Sequence, residues 1–449
     1  MVCFSHLRPS SRACGAVSST RFQARRIKSI LTLLLILAPL SLMAQGGVEV
    51  YCGRVLDKAT GRPLPYASVS LSGSAISNVT NAEGDFNLKV AAGEGEGRSI
   101  IISHLGYRLL AVRTSQFNTG EGGERLTLRL EPVAIPIDAA TVTSFDAEEL
   151  LSLAFSRIKE NYPQERMGMT AFYRELIKRG NRYLSMNEAI LTISKAPYRG
   201  SVSGDRAGIL KGRGASNYTA GDSLIINYQG GVIASLAIDQ AKNPFTGISL
   251  GDLSKYYNFK MAGSRLLGER LFYVVEFDQK PELEDDILFR GHIYIDSETL
   301  AFGRIEMNMN VEDNPEAAGI FVRKSPRRSK ISIEEAAYII NYKQDGDKWY
   351  YDYARISIQI RSKRKFALLA TNYTVVSELA VTDRSPQAPH IESGDRIRFR
   401  DIFASKVSDF TDDDFWEEYN VIEPDSDVES IVKRIVLQLR KLGRRAVSL

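Results

Sequence analysis

The sequence predicts a mainly β protein, in which a seven-strand-type β-sandwich is followed by a curved antiparallel β-sheet domain with two flanking amphipathic helices. Three observations carry this. Between Val48 and Glu131, apolar residues recur at every second position in short runs separated by Gly, Pro and Asn. From Ala171 to Leu379, further β-type runs follow one another without intervening helical patterns, as repeated hairpins of one sheet would. Two segments, opening at Asp146 and Ser426, carry the 3.6-residue apolar spacing of helices with one buried face.

Each element follows in chain order. Residues 21–29 are basic and Ile30–Leu42 is an apolar run of 13 residues, too short for a spanning helix but suited to the core of a secretory signal cleaved after Ala44. Residues 1–44 are therefore read as a signal peptide. The β-sandwich is placed at 45–132. Its inward residues are read as Val48, Val50 and Cys52, then Ala67, Val69 and Leu71, then Phe86, Leu88 and Val90, with Ile100–Ser103 and Leu126–Leu130 adding two strands. The stretches 91–98 and 118–124 read as loops.

A linker at 133–145, opening with Pro132 to Pro136, leads to a third region at 146–449. There Asp146 and Glu149 form a capping box, Leu150, Leu151, Ala154 and Ile158 give an apolar stripe, and Asn161-Tyr162-Pro163 stops the helix. Strands are expected at 171–176, 183–194, 271–277, 291–296, 302–310, 332–343, 349–361 and 370–379. The last helix is capped by Ser426 and Glu429, is lined by Val428, Ile431, Val432, Ile435, Leu439 and Leu442, and closes at Gly443.

Composition narrows the function. With 449 residues, 44% apolar and 25% charged, the chain can bury a core in two or three domains. Without the six basic side chains of its first 44 residues, 52 basic groups face 54 acidic ones, a balance without the field that grips nucleic acid. Beyond the leader only Cys52 remains, so no intramolecular disulfide forms; it is read as a buried small hydrophobe. No later segment is long and apolar enough to span a membrane as a helix.

The spacing of Gly53-Arg54-Val55, Thr60-Gly61 with Pro63-Leu64, Ala67-Ser68-Val69, Thr80, Gly84-Asp85-Phe86 and Gly106-Tyr107 resembles the carboxypeptidase-regulatory-like domain, a transthyretin-like β-sandwich. The resemblance implies that Gly84 takes a positive φ in a hairpin turn and that Phe86 begins the next inward face. His104 departs from the aromatic usual before Gly-Tyr and is read as a satisfied structural histidine. The segment Gly291-His-Ile-Tyr-Ile-Asp296-Ser-Glu-Thr299, followed by Ala301 to Glu306, weakly resembles the hairpin of periplasmic lipoprotein-carrier half-barrels. The whole arrangement, closed by Phe415-Trp416-Glu-Glu-Tyr419-Asn420, also resembles exported proteins of Gram-negative bacteria, which implies a periplasmic or outer-membrane-associated location.

No motif for chemistry is complete in the sequence. A metallocarboxypeptidase needs His and Glu three apart plus a third ligand, and none of His104, His292 or His390 has Glu at +3. Gly200–Gly221 has six glycines with Lys211 and Arg213, but neither a Walker nor a dinucleotide spacing; it reads as a surface loop. The clusters Arg323-Lys324-Arg327-Arg328-Lys330 and Arg361-Lys363-Arg364-Lys365 read as hairpin tips, or as a patch for lipopolysaccharide phosphates or an acidic partner. Asp412-Asp413-Asp414 and Glu284-Asp285-Asp286 lack calcium-loop spacing. Trp349, Tyr350, Tyr351 and Tyr353 fall on both faces of one strand, and no Gly-x-Ser-x-Gly elbow occurs.

No catalytic, cofactor or metal residue is therefore assigned. The expectation is a non-catalytic exported envelope protein, its sandwich serving docking or stability and its sheet binding a protein, glycan or lipid partner. A carrier or sensor of a lipid-like ligand and an envelope hydrolase with an unrecognised site are the alternatives.

Overall fold

The computed structural model describes residues 47–118, 124–133, 146–180, 182–198, 204–216, 231–312, 314–322, 329–409, 416 and 418–425. The expected signal peptide, most of the linker and the C-terminal helix lie outside these residues. Over the described chain the protein is mainly β, as expected.

Seven strands build the N-terminal sandwich: β1 (Val48–Asp57), β2 (Ser68–Leu71), β3 (Ser77–Val79), β4 (Asp85–Ala91), β5 (Ser99–Ser103), β6 (Leu110–Arg113) and β7 (Leu126–Leu130). They form one sheet in the order β4-β1-β7 and another in the order β3-β2-β5-β6, with β7 parallel to β1. Ala67, Val69, Leu71, Phe86, Leu88 and Val90 point inward as their alternation predicts. Strand β1 does not follow the expected phase, because Tyr51, Gly53 and Val55 face the core and Cys52 is only half-buried. Tyr51 and Val55 offer more apolar area than the Val50–Cys52 series. Gly53 also admits the Phe86 ring, which lies about 2.5 Å from where a Cβ would be.

The turn residues have specific jobs. Gly84 has φ +78°, and a Cβ there would stand 2.4 Å from the Val55 carbonyl oxygen. The Tyr107 hydroxyl donates to Asp57 at 2.7 Å, while the other Asp57 oxygen accepts from the amides of Ala59 and Thr60. The Gly106-Tyr107 corner and the Thr60-Gly61 turn are thus tied through one carboxylate.

The second region is an 11-stranded sheet built from β8 (Met167–Arg179), β9 (Arg182–Lys195), β10 (Arg206–Ser216), β11 (Tyr257–Leu267), β12 (Arg270–Gln279), β13 (Phe289–Asp296), β14 (Phe302–Met309), β15 (Ser329–Asp345), β16 (Lys348–Arg364), β17 (Thr371–Ser385) and β18 (Ser408–Asp409). Its order is β11-β12-β13-β14-β15-β16-β17-β8-β9-β10-β18; ten strands are antiparallel neighbours, and short β18 runs parallel to β10.

All eight expected strands are present, and β10 is a correction: the described residues 206–216 of the glycine-rich stretch form a ladder strand along β9, not a loop. A Cβ at Gly212 would lie 2.8 Å from Val407, and one at Gly214 would lie 2.4 Å from the Asn187 amide oxygen, so these glycines permit close approach. Strand β11 was not expected either.

Helix α1 (Ala147–Ser156) starts where the capping box predicts, with Asp146 accepting from the amides of Glu148 and Glu149. It buries Leu150, Leu151, Ala154 and Phe155, packs on β11, and is followed by the single turn α2 (Ile158–Asn161). An unexpected helix, α3 (Gly231–Ala237), packs on β16 and β17. Further on come α4 (Leu253–Tyr256) and α5 (Ala317–Phe321). Among the described residues no helix is long and apolar enough to cross a membrane, which says nothing of strands.

The β13–β14 turn shows why Asp296 and Thr299 stand together. Asp296 accepts from the Thr299 amide and hydroxyl at 2.8 and 2.7 Å, and Arg270 grips both its oxygens at 2.7 and 2.8 Å. Burial opposes the charge, yet Arg270 and Thr299 hold this carboxyl below the usual carboxylate range.

Candidate functional site

The central strands of the large sheet are buried on both faces. On β8, β9, β16 and β17, Tyr173, Leu191, Ile356 and Leu379 join the core under α1 and α3, while Phe172, Ile190, Tyr353 and Ala380 join a separate cluster with Val79 of the sandwich and Trp416. What each face can do depends on what covers it.

The sandwich face is covered by a strap, the described residues 416 and 418–425. Asn420 pairs with both backbone groups of Lys89 on β4, Asn78 donates to the Val421 carbonyl at 2.9 Å, and Asp425 accepts from the Ala82 amide at 3.0 Å. From the sheet, Arg174 donates to the Ile422 carbonyl at 2.7 Å and pairs with Glu188, which also takes Arg213 at 3.1 Å. The Arg213 guanidinium lies over the Trp416 ring. Nearby, Glu378 accepts from Tyr353 and Arg355, and Tyr66 of the sandwich stacks on Tyr353. The sandwich also touches the sheet directly, with Ser77 donating to the Val381 carbonyl and Gly106 to the Leu266 carbonyl.

The helix-covered face holds a buried ion cluster at the β9–β10 end. Lys195 stands 2.9 Å from Asp205 and 2.7 Å from Asp239, and Lys242 stands 2.5 Å from Asp205. Asp239 also accepts from the hydroxyls of Tyr198 and Tyr342 at 2.8 and 2.9 Å, and Lys195 lies over the Tyr351 ring. Two lysines and two aspartates make the group neutral. Burial disfavours the Lys195 ammonium, but Asp205 and Asp239 outweigh it and hold the lysine above its ordinary range. Burial, and then Lys195, pushes Lys242 down. Every oxygen of the two carboxylates takes at least one donor, so removing one member would leave a buried charge uncompensated. Around it Tyr162, Tyr198, Tyr342, Phe245, Tyr257 and Phe277 fill the space between sheet and helices.

Glu175 on the same face is different. Buried beside Tyr173, it receives that hydroxyl at 3.4 Å, and burial pushes its carboxyl up to about 7. Ser377 and Asn187 flank it across β17 and β9, and Gly231 at the start of α3 covers it. A cleft of about 430 Å³ opens at the edge of this face, with Leu151, Phe155, Leu253 and Phe259 below and Asp146, Glu148 and Glu149 at its rim.

Of the sequence-level candidates, His104 contacts the Leu105 carbonyl at 3.0 Å and packs edge-on against Tyr107; burial, then Arg304, lowers its pKa. The backbone carbonyls of Glu284 and Asp285 accept from Asn310 and Asn314, which makes that acidic run a turn. Residues 412–414 and 323–328 lie outside the described residues. Trp349 and Tyr351 face the helices and Tyr353 the sandwich, because the register shifts between Asn341 and Tyr342 opposite Asp352. The described members of the two basic clusters meet, with Lys330 opposite Lys363. Sequence reasoning missed the ion cluster and Glu175, whose partners no local spacing links.

Residues 51–135 match the family model described as the CarboxypepD_reg-like domain, about a fifth of the chain. Among solved structures, the chain is similar to one described as an outer membrane lipoprotein-sorting protein domain from Vibrio parahaemolyticus, at 14% identity and a TM-score of 0.24, covering 56% of this chain and 97% of that one. It is similar also to a LolA superfamily protein from Nitrosomonas europaea, at 12% identity and a TM-score of 0.21, covering 55% and 96%. No curated protein matches the chain.

Proposed function

We propose that this chain is a non-catalytic, exported binding protein of the cell envelope, in which the regulatory-like sandwich is built into the large sheet and recognition falls on the ends and edges of the combined body. The observation that carries this is the double occupation of the sheet, with the strap and sandwich on one face and the tyrosine-filled ion cluster on the other. A carrier of an apolar ligand needs a hollow of several hundred Å³. Between sheet and helices, Tyr162, Tyr198, Tyr342 and the paired charges of the ion cluster occupy the β9–β10 end, and the 430 Å³ cleft under α1 carries acidic residues among its lining.

The basic leader with its apolar run supports export, and the domain match at 51–135 is consistent with an envelope role. Native mass spectrometry of the chain, secreted through its own leader and purified without detergent, tests the reading. The expected mass is that of the polypeptide alone. A stoichiometric lipid adduct would move the assignment to a carrier.

A further inference from the structure

One end of the large sheet gathers positive charge and apolar side chains on the same tip. The β16–β17 turn, residues 365–370, carries Phe366, Leu368 and Leu369, which are 82%, 97% and 83% exposed. Side chains that exposed form no groove for a peptide; they project. Ordinary surfaces scatter such residues singly, and three in four positions require an explanation.

The strand register puts basic residues around them. Lys363 lies opposite Lys330, Arg364 opposite Ser329 and Arg361 opposite Asn372; Arg179 and Lys178 flank Tyr373 and Thr374, and Arg182 pairs with Arg179 across the next hairpin. With Lys365, which opens the turn itself, eight lysines and arginines gather at this tip. Among the described residues of 176–186, 329–333 and 361–373 there is no Asp or Glu. The nearest acids along β15, Glu334 and Glu335, are bonded to Ser332 and Gln359.

We infer that this tip docks the protein onto an anionic phospholipid surface, with Phe366, Leu368 and Leu369 entering the headgroup boundary and the surrounding lysines and arginines meeting lipid phosphates. Apolar side chains reaching a few ångströms into the interface beside a basic rim are the combination that holds peripheral proteins on charged bilayers, and neither part suffices alone. The inference does not depend on whether the helix-covered face takes a ligand.

Vesicle flotation tests it on the chain secreted through its own leader. With phosphatidylcholine vesicles containing 30 mol% phosphatidylglycerol, the protein is expected to float at least tenfold more than with phosphatidylcholine alone, and 0.5 M salt should abolish most of this. The triple variant Phe366→Ser, Leu368→Ser, Leu369→Ser should lose at least tenfold in binding with its thermal midpoint unchanged, because these side chains stand in solvent. Independently of that variant, Phe366→Trp should show fluorescence quenched by brominated anionic lipid. Equal flotation with both vesicle types, no flotation, or unquenched fluorescence in the Phe366→Trp variant each overturns the inference. So does a wild-type dimer that the triple variant converts to a monomer, which would make a second copy the occupant.

Discussion

Asn420 completes a strand ladder with its side chain: its Oδ1 accepts from the Lys89 amide at 2.7 Å and its Nδ2 donates to the Lys89 carbonyl at 2.9 Å. The strap is thereby fixed to the sandwich as a strand would be. Two residues on, the Ile422 carbonyl is held by Arg174 of the large sheet. Replacing Asn420 with Ala leaves both Lys89 groups without these bonds in a part-buried place, and about 1–3 kcal/mol of stability should be lost in chemical denaturation. An unchanged midpoint would mean the strap does not join the two regions.

Two glycines separate strain from collision. Gly84 and Gly61 both have positive φ, but only at Gly84 would a Cβ strike backbone, at the Val55 carbonyl. Gly61→Ala should cost roughly 1 kcal/mol and Gly84→Ala clearly more, with Gly84→Val destabilising by about 2–4 kcal/mol. Denaturation midpoints of the three variants give the order, and equal losses at Gly61 and Gly84 would contradict it.

The ion cluster predicts strong non-additivity. Asp239→Asn leaves Lys195 buried with weaker compensation and should cost about 3–5 kcal/mol. The double variant Lys195→Met, Asp239→Leu should cost less than the sum of its single changes in a double-mutant cycle. Simple additivity would show that the 2.7 Å contact contributes little.

Glu175 predicts how stability varies with pH. Its folded-state pKa lies near 7 against an ordinary 4.5, so above pH 4.5 the folded state retains a proton that the unfolded state gives up. Stability therefore falls as pH rises from about 4.5 to 7, by up to roughly 3 kcal/mol, and Glu175→Gln should remove that fall. Denaturation at pH 4 should barely separate variant and wild type, whereas at pH 8 the variant should be the more stable. Parallel pH profiles would mean that Glu175 is not desolvated.

Much of this architecture was legible in local spacing. The inward faces of β2 and β4 and the cap at Asp146 follow from period and chemistry within a few residues, and so do the eight strands from 171 to 379. The misreadings have physical causes. Gly208, Gly212 and Gly214 mimic a loop because the information they carry concerns neighbours, Ile391 for the first and Val407 and Asn187 for the others, that are distant or on another strand. The phase of β1 was inverted because Cys52 scores as apolar while Gly53, which faces the core, has no side chain to register. Lys195, Asp205, Asp239 and Lys242 come from a strand end, a strand start and the segment after α3, and only the tertiary fold brings them together.

The sandwich, the strap and the large sheet are expected to open as one unit. Native-state hydrogen exchange on the full chain measures this directly, through the amides of Asn78 on β3, Leu379 and Ala380 on β17, and Lys89 on β4, whose N–H donates to Asn420 of the strap. The prediction is a common opening free energy at all three places, equal to that of global unfolding. If β3 and the strap contact open at a free energy lower than β17 by about 2 kcal/mol or more, the sandwich is a tethered module rather than part of one cooperative unit.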